Sequence, residues 1–146
     1  MGILKYAAKY LAVAIVPLLL TTKAVCDEFV VFTQLETPYK LSRQQIKQVF
    51  LGARLEKNGE ILQPIVLAPG HPWRTVFNIR VMGLTESRLQ SYWAQVKFTG
   101  KRKPPLQVDD FAQMLQIIDN QKGTIGVASI ESIQLDKYQI IYQFSD

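Results

Sequence analysis

The stretch EFVVF, Glu28 to Phe32, is an unbroken run of apolar, β-branched and aromatic side chains behind a single acid, with polar residues on either side. Alternating polarity would mark a strand with one wet face. A continuous run marks a strand covered on both faces. TIGVA, Thr124 to Ala128, reads the same way. Two doubly covered strands require helices on both sides of a sheet, and the residues between them supply those helices.

LSRQQIKQVFLG, residues 41 to 52, carries a full helix signature. Ser42 is the N-cap, Gln45 its capping-box partner, and Leu41 and Ile46 the hydrophobic staple. Ile46, Val49 and Phe50 form the buried stripe, and Gly52 ends the helix. EKNGE places Asn58 and Gly59 in a tight type I′ turn. A short strand follows at PIVLA, Pro64 to Ala68. The spacing of Trp73, Val76, Phe77 and Val81 predicts a helix to about Met82, with Gly83 beyond its end. Another helix starts at Thr85 and is expected to bury Leu89, Tyr92, Trp93 and Val96. After the basic loop TGKRKPP, DDFAQMLQIIDNQKG gives a fourth helix with Phe111, Met114, Leu115 and Ile118 on one face. In YQIIYQF, Tyr138, Ile140, Tyr142 and Phe144 alternate with Gln139, Ile141 and Gln143, which predicts a half-exposed strand at the sheet's edge. The order β, α, β, three helices, β, β implies an α/β domain with a mixed sheet flanked by helices.

The 146 residues, 48% apolar and 20% charged, suit one globular domain. The formal charge of +5 is uneven: Lys5, Lys9 and Lys23 lie in the first 26 positions, which hold no acid. Beyond them, fourteen basic residues face twelve acidic ones, a balance that argues against a nucleic-acid partner. Residues 1 to 26 read as a secretory signal peptide, with a lysine-bearing start, an apolar stretch from Tyr10 to Leu20 and small or polar residues after it. The thirteen residues between Lys9 and Lys23 are too few for a membrane span, which needs about 20. Cleavage after Ala24 and cleavage after Cys26 both fit. Val25 departs from the small residue that a lipid-modification signal carries before its cysteine. The expected product is a periplasmic domain over residues 27 to 146, without membrane insertion. It has no cysteine in its body, so neither a disulfide framework nor a cysteine metal site is available to it.

Catalysis has few candidates. His71 is the only histidine, and a nucleophile needs a base that is itself oriented by a third group. Asp109 and Asp110 suit helix capping. One histidine and no clustered carboxylates exclude a metal site of ordinary type, and nothing points to a cofactor. The chain is therefore expected not to be an enzyme. An anion site has more to stand on. Gly70, His71 and Pro72 lead into a helix whose first N–H groups and dipole favour a negative charge. Arg74 could add a charged fork and Thr75 a hydroxyl. The same residues also suit a packed corner with an arginine facing water. Lys97, Lys101, Arg102 and Lys103 make a cationic loop that reads as solvated surface; with Phe98 beside it, contact with nucleic acid or anionic lipid is the alternative. The exported location and modest net charge argue against nucleic acid.

Four strings in order, LSRQQIKQVFLG, WRTVFNIRVMG, LQSYWAQVKFTGKRKPP and QKGTIGV, resemble the landmarks of periplasmic phosphate-binding proteins of phosphate ABC transporters. The likeness is strongest to short single-domain relatives and spans about residues 28 to 136. It implies one lobe of a type II periplasmic binding protein and a transport-related or accessory role in binding phosphate or a similar oxyanion, with Gly70, His71, Arg74 and Thr75 as contacts. The family's serine, threonine and arginine contacts have no counterpart, because His71, Pro72 and Trp73 occupy the matching serine-glycine-threonine places and Leu67 the upstream arginine's. A single lobe offers half a cleft, so a homodimer or an envelope protein partner would have to complete it. The alternative role is a non-catalytic interaction module of the cell envelope that has lost solute binding.

Overall fold

The computed structural model describes residues 23 to 146. Nearly all of the segment read as a signal peptide lies outside the described residues. Lys23 to Asp27, which include both expected cleavage points, are exposed and belong to no helix or strand.

A five-stranded sheet forms the centre. Its strands are β1 (Glu28–Gln34), β4 (Gln63–Leu67), β5 (Leu106–Val108), β6 (Thr124–Ser129) and β7 (Tyr138–Ser145), in the spatial order β5-β4-β6-β1-β7. β4 runs parallel to β5 and β6, whereas β1 is antiparallel to both β6 and β7. The sheet is thus mixed. β1 occupies the interior as its unbroken apolar run requires. Phe29 and Val31 enter one hydrophobic cluster, with Ile46, Val49, Phe50 and Phe77, and Val30 and Phe32 enter a second, with Met114 and Ile118.

Helix α1 (Arg43–Phe50) lies on the first face. Gln45 N donates to Ser42 Oγ at 3.2 Å and Ser42 N donates to Gln45 Oε1 at 2.9 Å, so the expected capping box is closed. The hairpin β2 (Glu56–Lys57) and β3 (Glu60–Ile61) turns at Asn58 and Gly59. α2 (Pro72–Phe77) widens into a π turn over Asn78–Met82 before Gly83. α4 (Phe111–Asn120) covers the second face, with Met114 and Ile118 fully buried. It packs so closely that a β-carbon on Gly126 of β6 would lie 2.6 Å from Met114 Sδ and 2.9 Å from Ile118 Cδ1.

Three expectations need correction. In α3 (Glu86–Val96), only Leu89 is buried, while Tyr92, Trp93 and Val96 are half-exposed. The helix sits at the rim, where Tyr92 donates to Leu51 O at 2.8 Å beyond the end of α1. β5 was not expected at all, because three residues with Leu106 exposed give no periodic signal. β7 is indeed an edge strand, but its alternation breaks. Val31 pairs with Tyr142 and Phe32 with Ile140, so Ile141 is an inserted residue, and the bulge turns it wholly inward. Tyr138 consequently joins the α4-side cluster and Phe144 the opposite one.

Candidate functional site

The corner between β4 and α2 begins with a turn from Ala68 to His71, closed by His71 N donating to Ala68 O at 3.2 Å. Pro69 suits its second position, and Gly70, at φ +90°, takes the left-handed conformation that its third position demands. His71 then caps α2. Its Nδ1 accepts from Trp73 N at 3.2 Å, which in the neutral ring leaves Nε2 as the N–H donor. Pro72 has no N–H to offer. Thr75 N donates to His71 O at 3.1 Å, and the Thr75 hydroxyl donates to the same oxygen at 3.3 Å. The first turn of α2 is therefore largely satisfied by its own chain.

Arg74 points inward, away from the role expected of it. Its side chain is 10% exposed. Nε and Nη2 grip Glu86 bidentately, at 2.8 and 2.6 Å. Nη1 donates to Leu67 O at 2.7 Å and to Gln107 Oε1 at 3.3 Å. One guanidinium thus ties together the end of β4, the start of α3 and the edge strand β5. Asn78, 5% exposed, donates to Glu86 at 2.9 Å, and Gln90 donates to it at 2.7 Å. The hydrogen bond from Arg74 is the leading reason that the Glu86 carboxyl titrates below its ordinary range, with the amides of Gln90 and Asn78 assisting.

Beside this clamp lies a cavity of about 290 Å³, walled by Phe50, Phe77, Leu89, Trp93 and Pro105, with Arg74, Asn78, Gln90 and Gln107 as its polar lining. The cation in that wall is already neutralised by Glu86. Sequence reasoning brought Gly70, His71, Arg74 and Thr75 to one corner, and the structure places them there, but only the first two and Thr75 reach the surface region in front of the turn. Glu86, Asn78 and Gln107 were missed. A faint signal existed for one of them: Asn78 lies four residues after Arg74, on the same helical face and inside an otherwise apolar stripe.

The corner's position matters more than its charge. β4, β5 and β6 are parallel, so their carboxyl ends lie at one end of the sheet, and α2 and α4 start there. In open α/β sheets this end is where ligands are taken. Trp73 bridges the two helix starts, 5.2 Å from the His71 ring and 5.1 Å from Phe111. Asp110 caps α4, accepting from Gln113 N at 2.9 Å, as its residue type predicted. Among the described residues no cluster of three or more His, Cys, Asp or Glu is placed to hold a metal ion.

No protein-family model and no curated protein matches the chain. Solved structures do. An ABC-type phosphate transport receptor from Vibrio cholerae superposes with a TM-score of 0.60 at 16% identity, over 80% of this chain and 46% of the receptor. A protein from Clostridium perfringens assigned as a phosphate ABC transporter substrate-binding protein, solved with phosphate bound, gives 0.59 at 16%, over 77% and 43%. The chain has the fold of a phosphate-binding-protein lobe. It spans less than half the length of either protein. Among the described residues no helix is long and apolar enough to cross a membrane.

Proposed function

We propose that the chain is a non-catalytic, phosphate-binding-protein-like module of the periplasm that receives phosphate or a similar oxyanion weakly at the Gly70–Thr75 corner. The observation that carries this reading is the corner's place at the carboxyl ends of three parallel strands, in a fold shared with two phosphate-type receptors. The donors offered to the anion are His71 Nε2 and the N–H groups of Gly70 and Arg74, and the Thr75 hydroxyl joins them only by turning its proton away from His71 O. Arg74 itself is a positioning residue, because its guanidinium is committed to Glu86 and Leu67 O. Weakness follows from the same geometry. The nearest fixed cation is neutralised, Pro72 removes one donor, and Asp109 and Asp110 bring negative charge to the same end of the sheet. A second wall, from another copy of the chain or from an envelope protein, would exclude water and strengthen each contact.

The test is thermal unfolding of the full chain, freed of phosphate and titrated with it at constant ionic strength against chloride. Saturable stabilisation is expected, about 1.4 kcal/mol at ten times Kd, with Kd in the millimolar range. His71→Phe and Thr75→Val should each lower the response. A phosphate curve that overlays the chloride curve refutes the reading.

A further inference from the structure

Between Ser87 and Val108 the chain carries five cations, Arg88, Lys97, Lys101, Arg102 and Lys103, and no acid. The structure separates these by task. Arg102 reaches back, donating to Leu51 O at 3.2 Å and to the Tyr92 hydroxyl oxygen at 3.1 Å. The loop is seated there against Gly52, where a β-carbon would stand 2.9 Å from Arg102 Cβ and 3.2 Å from Lys103 O. Arg102 is thus an anchor. Lys97, Lys101 and Lys103 are exposed and form no ion pair among the described residues. Lys97 also lies at the C-terminal end of α3, where a cation suits the helix dipole.

Phe98 stands among these lysines on the short 3₁₀ turn Lys97–Thr99 that follows α3, and it is 92% exposed. It is the most exposed of the large apolar side chains of the described residues, and it belongs to neither hydrophobic cluster. The rest of the loop, Lys101 to Lys103, lines an open trough of about 740 Å³ together with Arg54, with no acid in its wall. An aromatic ring held clear of the core on an anchored loop that also carries three unpaired, exposed lysines matches a bilayer interface. There the ring passes below the headgroups while the ammonium groups stay among the phosphates.

We infer that the loop from Lys97 to Lys103 docks the protein on an anionic phospholipid surface, with Phe98 as the inserted side chain and Lys97, Lys101 and Lys103 as its headgroup contacts. A single-stranded nucleic acid would also use cations and a ring, but it needs a succession of stacking platforms, and this loop offers one. The inference stands whether or not the α2 corner takes an anion.

The test reads the loop itself. In the full chain, Phe98→Trp adds an emission signal above that of Trp73 and Trp93. It should shift to the blue and be quenched by bromine-labelled acyl chains in phosphatidylcholine vesicles containing about one third phosphatidylglycerol, and stay unchanged with phosphatidylcholine alone. Adding Lys101→Gln and Lys103→Gln should raise the lipid needed for half-maximal quenching by about fivefold per lysine, and raised salt should act in the same direction. Phe98→Ser in the otherwise native chain should weaken anionic-vesicle binding without changing the unfolding temperature. No quenching in anionic vesicles, or quenching indifferent to both lysines, overturns the inference. So does tight binding of single-stranded DNA through the same residues with no response to vesicles.

Discussion

The Gly70–Thr75 corner, read in sequence as an anion site, and the Lys97–Lys103 loop, read as solvated surface, both carry cations, yet the folded chain treats them oppositely. At the corner the arginine is folded into the body and its charge is met by Glu86. In the loop one arginine is spent on backbone and hydroxyl oxygens and the lysines beside it are left unpaired. The difference follows from side-chain chemistry. A guanidinium can satisfy several fixed acceptors in a plane, so it is suited to burial as a clamp, whereas an ammonium keeps its hydration and stays outside. Charge density in a sequence therefore locates cations without saying which of them remain available.

Substitutions break this contrast in order of size. Arg74→Ala removes a nearly buried guanidinium and leaves Glu86 and Leu67 O without their partner. Urea unfolding should show a loss of about 2 to 3 kcal/mol, below the full cost of a wholly buried pair because Glu86 is partly solvated. Glu86→Gln comes next, at about 1 to 2 kcal/mol at neutral pH, since a neutral amide keeps some hydrogen bonds but loses the ionic grip. It also tests the sign of the pH dependence. The Glu86 carboxyl is held below its ordinary range, so its contribution is complete above that range and is lost as pH falls through it towards the lowered folded value. The variant's acid limb, followed by circular dichroism, should be shallower than that of the parent. His71→Ala deletes a helix cap, for about 1 kcal/mol. Smallest of all, Lys101→Ala with Lys103→Ala should move stability by no more than about 0.5 kcal/mol, whatever it does to vesicle binding. Equal losses for the arginine and the lysine pair would erase the contrast.

The parts of the fold that were legible in the sequence are those written locally. The Ser42 and Gln45 capping box, the Asn58–Gly59 turn and the doubly covered strands β1 and β6 each depend on neighbours a few residues apart, and each stands where it was expected. The partners of Arg74 lie seven, twelve and thirty-three residues away. No period in the chain connects them. β7 shows a subtler failure: its alternation was present, but one inserted residue at Ile141 reversed which phase was inside. Tyr92 and Trp93 misled for another reason, because large aromatic rings can cover a rim as well as fill a core. The corner's location was readable; its internal neutralisation was not.

The placement of β1 bears on how the molecule comes together. Among the described residues it precedes every other strand, and its two neighbours in the sheet follow all the others, with Phe29 opposite Ser129 on one side and Phe144 on the other. The interior of the sheet therefore stays open until Thr124–Ser129 and Tyr138–Ser145 have been made, and closing it costs the loop entropy of contacts this distant. Removing Tyr138–Ser145 would expose β1 as a bare apolar edge, the kind that pairs with whatever strand it meets.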